Sequence, residues 1–211
     1  MPDSSAAPDV VVFDIGEVLL DWNPRHLYRR IFADEATMEW FLAHVCTPAW
    51  NREQDRGRRW ADAVDFLVRR WPEWRAEIEA FDARWEETVA GEIEGAVALL
   101  RELVARDVPV YAITNFSDEK FPIAQQRYES LRLFRGVVVS GAEGLLKPDA
   151  AIFALFCERY GLAPQRCLFV DDMAANVRGA QQAGLNGVHF AGTDTYGHLR
   201  CRLRALGVPG V

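Results

Sequence analysis

Apolar and polar residues follow two different rhythms along this chain. Val10-Val11-Val12-Phe13 is an unbroken apolar run that ends at Asp14 and then turns at Gly16. Such a run suits a parallel strand covered on both faces. The same kind of signal returns at Val108 to Thr114, Gly136 to Ser140, Cys167 to Val170 and Gly187 to Phe190. Between these runs the apolar spacing becomes helical: Ile93 to Ala105, Pro122 to Leu131, Ala150 to Tyr160, Ala174 to Ala183, and a last helix near His198 to Leu206. Gly161 and Gly184 stand where two of these helices should stop. Strands alternating with helices predict right-handed crossovers and an α/β fold with a doubly wound, Rossmann-like parallel sheet.

Residues 22–91 keep the helical rhythm but have no strand signal. Apolar positions recur at Leu27, Ile31; Met38, Phe41, Leu42, Val45; Trp60, Val64, Phe66, Leu67; and Ile78, Phe81, Trp85. All seven tryptophans lie between Trp22 and Trp85. Asp21-Trp22-Asn23-Pro24 reads as a turn, and Thr47-Pro48 and Trp71-Pro72 break the segment into separate helices. The stretch from Cys46 to Gly57 is the least regular part. It fits a substrate-facing loop, or a surface loop anchored by Trp50. The expected organisation is an α/β core built from residues 1–21 and 92–211, with a helical domain of residues 22–91 inserted after the first strand. Residues 1–9 are expected to form a loose tail.

Composition narrows the function. The 211 residues carry a net charge of −7, which argues against nucleic acid as the main partner. No apolar run approaches the roughly 20 residues of a membrane span, so no membrane association is expected. The polar start has no signal-peptide pattern, which leads to the expectation of a cytoplasmic protein. Cys46, Cys157, Cys167 and Cys201 lack CxxC spacing and read as reduced thiols. Lysine occurs only at Lys120 and Lys147 among 24 basic residues. Each therefore carries information, because a compact ammonium does what a planar guanidinium cannot. The four histidines have no partners at ligand spacing.

Four strand ends carry polar groups: Asp14; Thr114-Asn115-Phe116-Ser117; Lys147-Pro148-Asp149 in the loop after the third strand; and Asp171-Asp172 with Asn176. In a parallel sheet these ends share one edge, so the groups can converge. Two carboxylates from different strands suit a hard divalent cation such as Mg²⁺. The Thr114 hydroxyl and the Lys147 ammonium can bind phosphoryl oxygens. An aspartate can act as a nucleophile and form an acyl phosphate. Asp172 and Asn176, four apart at a helix start, are expected on one face.

Phe13-Asp-Ile-Gly-Glu-Val-Leu19, Ile113-Thr-Asn-Phe-Ser117, Lys147-Pro-Asp-Ala-Ala-Ile-Phe153 and Phe169-Val-Asp-Asp-Met-Ala-Ala-Asn-Val177 resemble, in order, the four motifs of the haloacid dehalogenase-like (HAD) hydrolase superfamily. The helical insertion resembles that family's α-helical C1-type cap. The resemblance implies Asp14 as nucleophile. It implies Mg²⁺ held by Asp14, the Gly16 carbonyl and Asp172. It also implies Thr114 and the amide of Asn115 on the phosphoryl group, and Lys147 on the nucleophile and phosphoryl oxygens. Asp171 and Asn176 would position Asp172, Lys147 or metal-bound water, although Asp171 also fits simple helix capping. The implied activity is Mg²⁺-dependent hydrolysis of a small phosphorylated metabolite through an aspartyl phosphate.

One position departs from the typical phosphatase pattern Asp-x-Asp. Gly16 stands where the second Asp would act as acid and base, help worth roughly 10² to 10⁴ in rate. Glu17 is adjacent but should point elsewhere. Some α-capped members with this Asp-x-Gly pattern hydrolyse sugar 1-phosphates, which makes a sugar phosphate a candidate substrate. A 2-haloacid dehalogenase using the same Asp14 is the alternative, as is a non-catalytic phosphate-binding relative. Against the dehalogenase, Asp171 and Asp172 would repel a haloacid carboxylate. Chemistry needing a Schiff-base lysine on the insertion is ruled out, because residues 22–91 contain no lysine.

Overall fold

A computed structural model of the chain describes residues 7–190 and 196–209. In chain order the elements are β1 Val10–Phe13, β2 Leu20–Trp22, α1 Pro24–Tyr28, α2 Glu35–His44, α3 Pro48–Asp55, α4 Trp60–Arg70, α5 Arg75–Ala83, β3 Val89–Glu92, α6 Glu94–Ala105, β4 Val110–Thr114, α7 Phe121–Arg127, β5 Gly136–Val139, α8 Ser140–Glu143, α9 Ala150–Tyr160, β6 Cys167–Asp171, α10 Ala174–Gln182, β7 Asn186–His189 and α11 Tyr196–Ala205. Five strands form one sheet in the order β5-β4-β1-β6-β7, with every adjacent pair parallel.

The apolar run of β1 lies at the centre of this sheet, and its alternation explains the layering. Val11 and Phe13 face a core shared with Leu99 and Leu103 of α6 and Leu199 and Leu203 of α11. Val10 and Val12 face the opposite side, against Ile152, Phe153 and Phe156 of α9 and Ala180 of α10. All four β1 side chains are buried, as a strand sandwiched between two helical layers requires. The first cluster runs on without a break into the helical segment, through Leu27, Tyr28, Phe41, Trp60 and Phe81.

The sheet, its parallel strands and the flanking helices match the α/β architecture read from the sequence. The region around residues 20–24 and 89–92 differs. Leu20–Trp22 is a strand, not a turn, and it pairs antiparallel with β3, a strand that has no sequence signal. This ribbon carries the chain into the helical segment and back. The stretch from Cys46 to Gly57 also differs, because most of it is α3. The Thr47 side chain accepts from the backbone N–H of Trp50 at 3.1 Å, and Pro48 occupies the first turn. Only Trp50 and Gln54 are buried on this helix, so it has too little apolar rhythm to be read by periodicity.

Residues 1–6 of the expected tail lie outside the described residues. Asp9 is already fixed, since its N–H donates to the Arg166 carbonyl and its carboxylate pairs with the Arg166 guanidinium. The four cysteines are free thiols, with Cys201 exposed and the others buried. Among the described residues no helix is long and apolar enough to cross a membrane.

Candidate active site

Asp14 follows β1 directly. Its backbone N–H donates to the Val170 carbonyl at 2.8 Å, extending the β1–β6 ladder by one residue. That bond sets the carboxylate at the sheet edge beside the end of β6. One Asp14 oxygen accepts the Ile15 N–H at 2.6 Å, and the other accepts Lys147 Nζ at 2.7 Å. Lys147 Nζ also meets Asp171 Oδ2 at 2.7 Å, and the lysine side chain is fully buried. An ammonium deprived of water this completely persists only with such partners. Burial alone would lower the Lys147 pKa, but Asp14 and Asp171 outweigh burial and hold it above the ordinary lysine value.

The loop carrying Lys147 is fixed from three sides. Asn115 accepts the Lys147 N–H on Oδ1 at 2.9 Å and donates Nδ2 to the Lys147 carbonyl at 3.1 Å. Arg52 of α3 donates to the same carbonyl at 3.4 Å. Gly179 of α10 lets that helix approach Pro148 closely, because a Cβ there would lie 2.3 Å from the Pro148 carbonyl oxygen.

Asp171 has no spare capacity. Oδ1 accepts from the Met173 N–H at 2.7 Å and from Asn176 Nδ2 at 3.0 Å, while Oδ2 takes Lys147 and the same Asn176 group. Asn176 therefore bonds Asp171 and not Asp172, the partner with which it was expected to share a face. Asp172 is left with its carboxylate half-buried. The exposed His189 reaches the Asp172 carbonyl at 2.7 Å, so that ring nitrogen carries the hydrogen. This contact comes from β7 and has no sequence signal.

Carboxylate oxygens of Asp14, Asp171 and Asp172 lie within 4.8 Å of one another. Burial pushes Asp14 well above the ordinary carboxylate range; Lys147 opposes this, and Asp171 and Asp172 add to the upward push. Asp172 is raised by burial and by Asp171. Three carboxylates facing one ammonium leave two negative charges uncompensated, the demand that a divalent cation meets. With Asp171 fully engaged, the donors open to a cation are Asp14, Asp172 and nearby backbone carbonyls.

Thr114 ends β4 next to β1. Its hydroxyl is buried and has no hydrogen-bond partner among the described residues. A buried, unsatisfied hydroxyl beside this cluster is a vacancy of bonding capacity that an oxygen-rich ligand would fill. The structure thus brings Asp14, Thr114, Asn115, Lys147, Asp171, Asp172 and Asn176 to one sheet edge, with Gly16 in the turn after β1.

Above this edge is a cavity of about 80 Å³, lined by Gly16 and Asn115 from the sheet side and by Trp22, Asp55, Trp60 and Trp85 from the helical segment and its ribbon. A Cβ at Gly16 would meet nothing within 4 Å, so the glycine opens space and relieves no clash. Glu17 is exposed and lines a neighbouring cleft of about 570 Å³. Lys120, the second of the two lysines, is buried; its ammonium bonds the carbonyl and the carboxylate of Asp82 on α5 and lies 5.0 Å from the Trp60 ring centre. The scarcity of lysine was its only sequence signal.

A family model described as haloacid dehalogenase-like hydrolase matches residues 8–184. The chain is 27% identical over 181 residues to a sesquiterpene phosphatase of Aspergillus oryzae, with 85% of this chain and 88% of that protein covered. It is 33% identical over 117 residues to hexitol phosphatase A of Escherichia coli, covering 52% of this chain and 53% of that protein. A HAD family enzyme from Bacteroides thetaiotaomicron, solved with magnesium and inorganic phosphate, superimposes with a TM-score of 0.69 at 20% identity over 91% of this chain and 98% of its own. That likeness establishes the shared fold. The family match across most of the chain, the sheet order and the convergence of four strand ends on Asp14 lead to one conclusion: the chain belongs to the haloacid dehalogenase-like hydrolases.

Proposed function

We propose that this hydrolase is a Mg²⁺-dependent phosphatase that cleaves a small phosphorylated metabolite through an aspartyl phosphate on Asp14. The observation that carries this reading is the buried, unpartnered Thr114 hydroxyl beside the Asp14–Lys147–Asp171–Asp172 cluster. A phosphoryl group supplies oxygens to both the Thr114 hydroxyl and the Lys147 ammonium. The Asp14 carboxylate, steadied by the Ile15 N–H and Lys147, attacks phosphorus, and the bond to the leaving alcohol breaks. Lys147 neutralises charge that develops on the transferred oxygens. Mg²⁺, when held by Asp14, Asp172 and the Gly16 carbonyl, supplies the remaining positive charge. Asp171 and Asn176 hold Lys147 on its target.

Residues 22–91 form the cap in this reading, and residues 1–21 with 92–211 form the catalytic core. The leaving group then faces Trp22, Trp60, Trp85, Val89 and Phe116. Such walls favour an alcohol with substantial apolar carbon over a polyol. The sesquiterpene phosphatase relative supports the apolar choice, while the hexitol phosphatase relative keeps a sugar phosphate in the comparison. The dehalogenase alternative fits less well, because Asp171 and Asp172 beside Asp14 oppose a haloacid carboxylate.

The test is hydrolysis of p-nitrophenyl phosphate with and without Mg²⁺, using Asp14→Asn as control. Mg²⁺-dependent release that vanishes in the variant is expected. Halide release from 2-chloropropionate without phosphate release would reverse the assignment.

A further inference from the structure

The turn after β1 offers no acid or base to the cavity. Gly16 leaves open space where the usual second aspartate would project. Asp55, the last residue of α3, lines the same cavity from the helical segment. We propose that Asp55, reaching in from the helical segment, is the proton donor to the leaving-group oxygen and then the base that activates water, in place of the aspartate missing at Gly16. The proposal rests on the phosphatase reading above.

Three independent contacts place Asp55. Ser140 Oγ, at the end of β5, donates to the Asp55 backbone carbonyl. Two residues on, Gly57 has φ +101°, and a Cβ there would fall 2.6 Å from the Gly141 carbonyl oxygen, so only glycine allows this turn to rest on the core backbone. Three residues before, Arg52 reaches the Lys147 carbonyl at 3.4 Å. The turn is therefore fastened to the segment that follows β5, the one that carries Lys147. The Asp55 side chain itself makes one long contact, from Asn51 Nδ2 at 3.5 Å, and is otherwise open to the cavity.

The electrostatics agree with that placement. Burial raises the Asp55 carboxyl to about 7, with Arg52 and Lys147 pulling in the opposite direction. Lys120, facing the same cavity from the start of α7, is neutralised by Asp82, and Asp14 on the sheet side is neutralised by Lys147. A carboxyl poised near neutrality can give a proton in one step and take one in the next.

In the first step Asp14 Oδ bonds to phosphorus as the P–O bond to the alcohol breaks. The electron pair stays on the alcohol oxygen, which takes the Asp55 proton and leaves as a neutral alcohol. In the second step water attacks phosphorus while the Asp55 carboxylate accepts its proton. The P–O bond to Asp14 breaks, its electron pair returns to the Asp14 carboxylate, and inorganic phosphate departs with Asp55 protonated again.

The experiment compares wild type, Asp55→Asn and the double variant Gly16→Asp/Asp55→Asn on p-nitrophenyl phosphate and on 2-phenylethyl phosphate, with Mg²⁺ present. Nitrophenolate leaves without a proton, whereas the alkoxide cannot. In Asp55→Asn, kcat/KM for the alkyl ester is expected to fall by about 10²- to 10⁴-fold. The aryl ester should keep its first step and show a burst of nitrophenolate followed by slow turnover, because the phosphoenzyme lacks its base. The wild-type decline in alkyl-ester kcat/KM above about pH 7 should disappear with the carboxyl, and the double variant should recover alkyl turnover. A purely structural Asp55 would give equal losses on both esters, no burst and no rescue by Gly16→Asp, and any of these overturns the proposal. Wild-type protein inert towards both esters would instead overturn the phosphatase reading on which it rests.

Discussion

The sheet edge and the helical segment above it are built on opposite principles. At the edge, charged and amide groups pair with one another around an unpartnered Thr114 hydroxyl: Lys147 holds two carboxylates, Asp171 accepts four hydrogen bonds, and Asn115 clamps the Lys147 backbone from both sides. In the helical segment the surfaces are aromatic. Trp60 packs edge-on against Trp50 at 5.8 Å and against Phe81 at 5.4 Å, and Tyr28 joins Phe41 and Phe81. Polar contacts also tie the two regions, among them Trp60 Nε1 to Ser117 Oγ at 3.0 Å and Lys120 to Asp82. Chemistry that tolerates little displacement sits on rigid strand ends. The helical segment is joined to them through a two-stranded ribbon, a shared apolar cluster and polar anchors.

That contrast can be broken most severely at its charged centre. Lys147→Met should cost about 3–5 kcal/mol in denaturant unfolding, because Asp14 and Asp171 lose their only shared cation. Trp60→Ala should cost nearly as much, about 3 kcal/mol, by opening a hole among Trp50, Phe81 and Ser117. The two differ in function: the first should remove turnover, while the second should raise KM more than it lowers kcat.

A smaller effect separates stability from activity at Asp55. Its folded pKa is raised from 3.8 to about 7, so the folded state binds that proton more tightly than the unfolded chain. The resulting penalty is absent below the unfolded pKa, grows as pH rises, and is complete above about 7. Asp55→Asn should therefore stabilise the protein at pH 8 by on the order of 2 kcal/mol and leave its stability at pH 4 unchanged. Equal melting shifts at both pH values would contradict the raised pKa. The smallest change is expected from Lys120→Met. Asp82 is about a third exposed (34%), so solvent screens the pair and the loss should stay near 1 kcal/mol. A several-fold rise in KM with kcat retained would mark Lys120 as an anchor of the helical segment.

The difference between the two regions also decided what could be read from the chain. The core strands are buried on both faces, so each appears as a continuous apolar run, and the polar residue ending each run marks the shared edge. Asp14, Thr114 and Asp171 were legible for that reason, and Lys147 through the scarcity of lysine and its loop motif. The ribbon was not, because β2 and β3 have three and four residues and contain Asp21, Gly91 and Glu92 where alternation would be needed. Helix α3 was missed because its start is written in Thr47 and Pro48, not in apolar periodicity. Asn176 was placed on the correct turn, but its partner depends on Asp171 bending back to cap the same turn, which spacing does not encode. Asp55 fell within the Cys46–Gly57 stretch, which the sequence left open between a substrate-facing loop and a surface loop; its place in the cavity follows from the close approach of Gly57 to Gly141 across 84 residues of sequence.

The central claim is that Asp14 carries the phosphoryl group. It is tested most directly by acid-quenching the enzyme during turnover of p-nitrophenyl phosphate with Mg²⁺ and locating the adduct by peptide mass spectrometry. A phosphoryl group is expected on the peptide containing Asp14, absent in Asp14→Asn and accumulating in Asp55→Asn. Steady turnover with no adduct on that peptide, and with activity retained in Asp14→Asn, would contradict it.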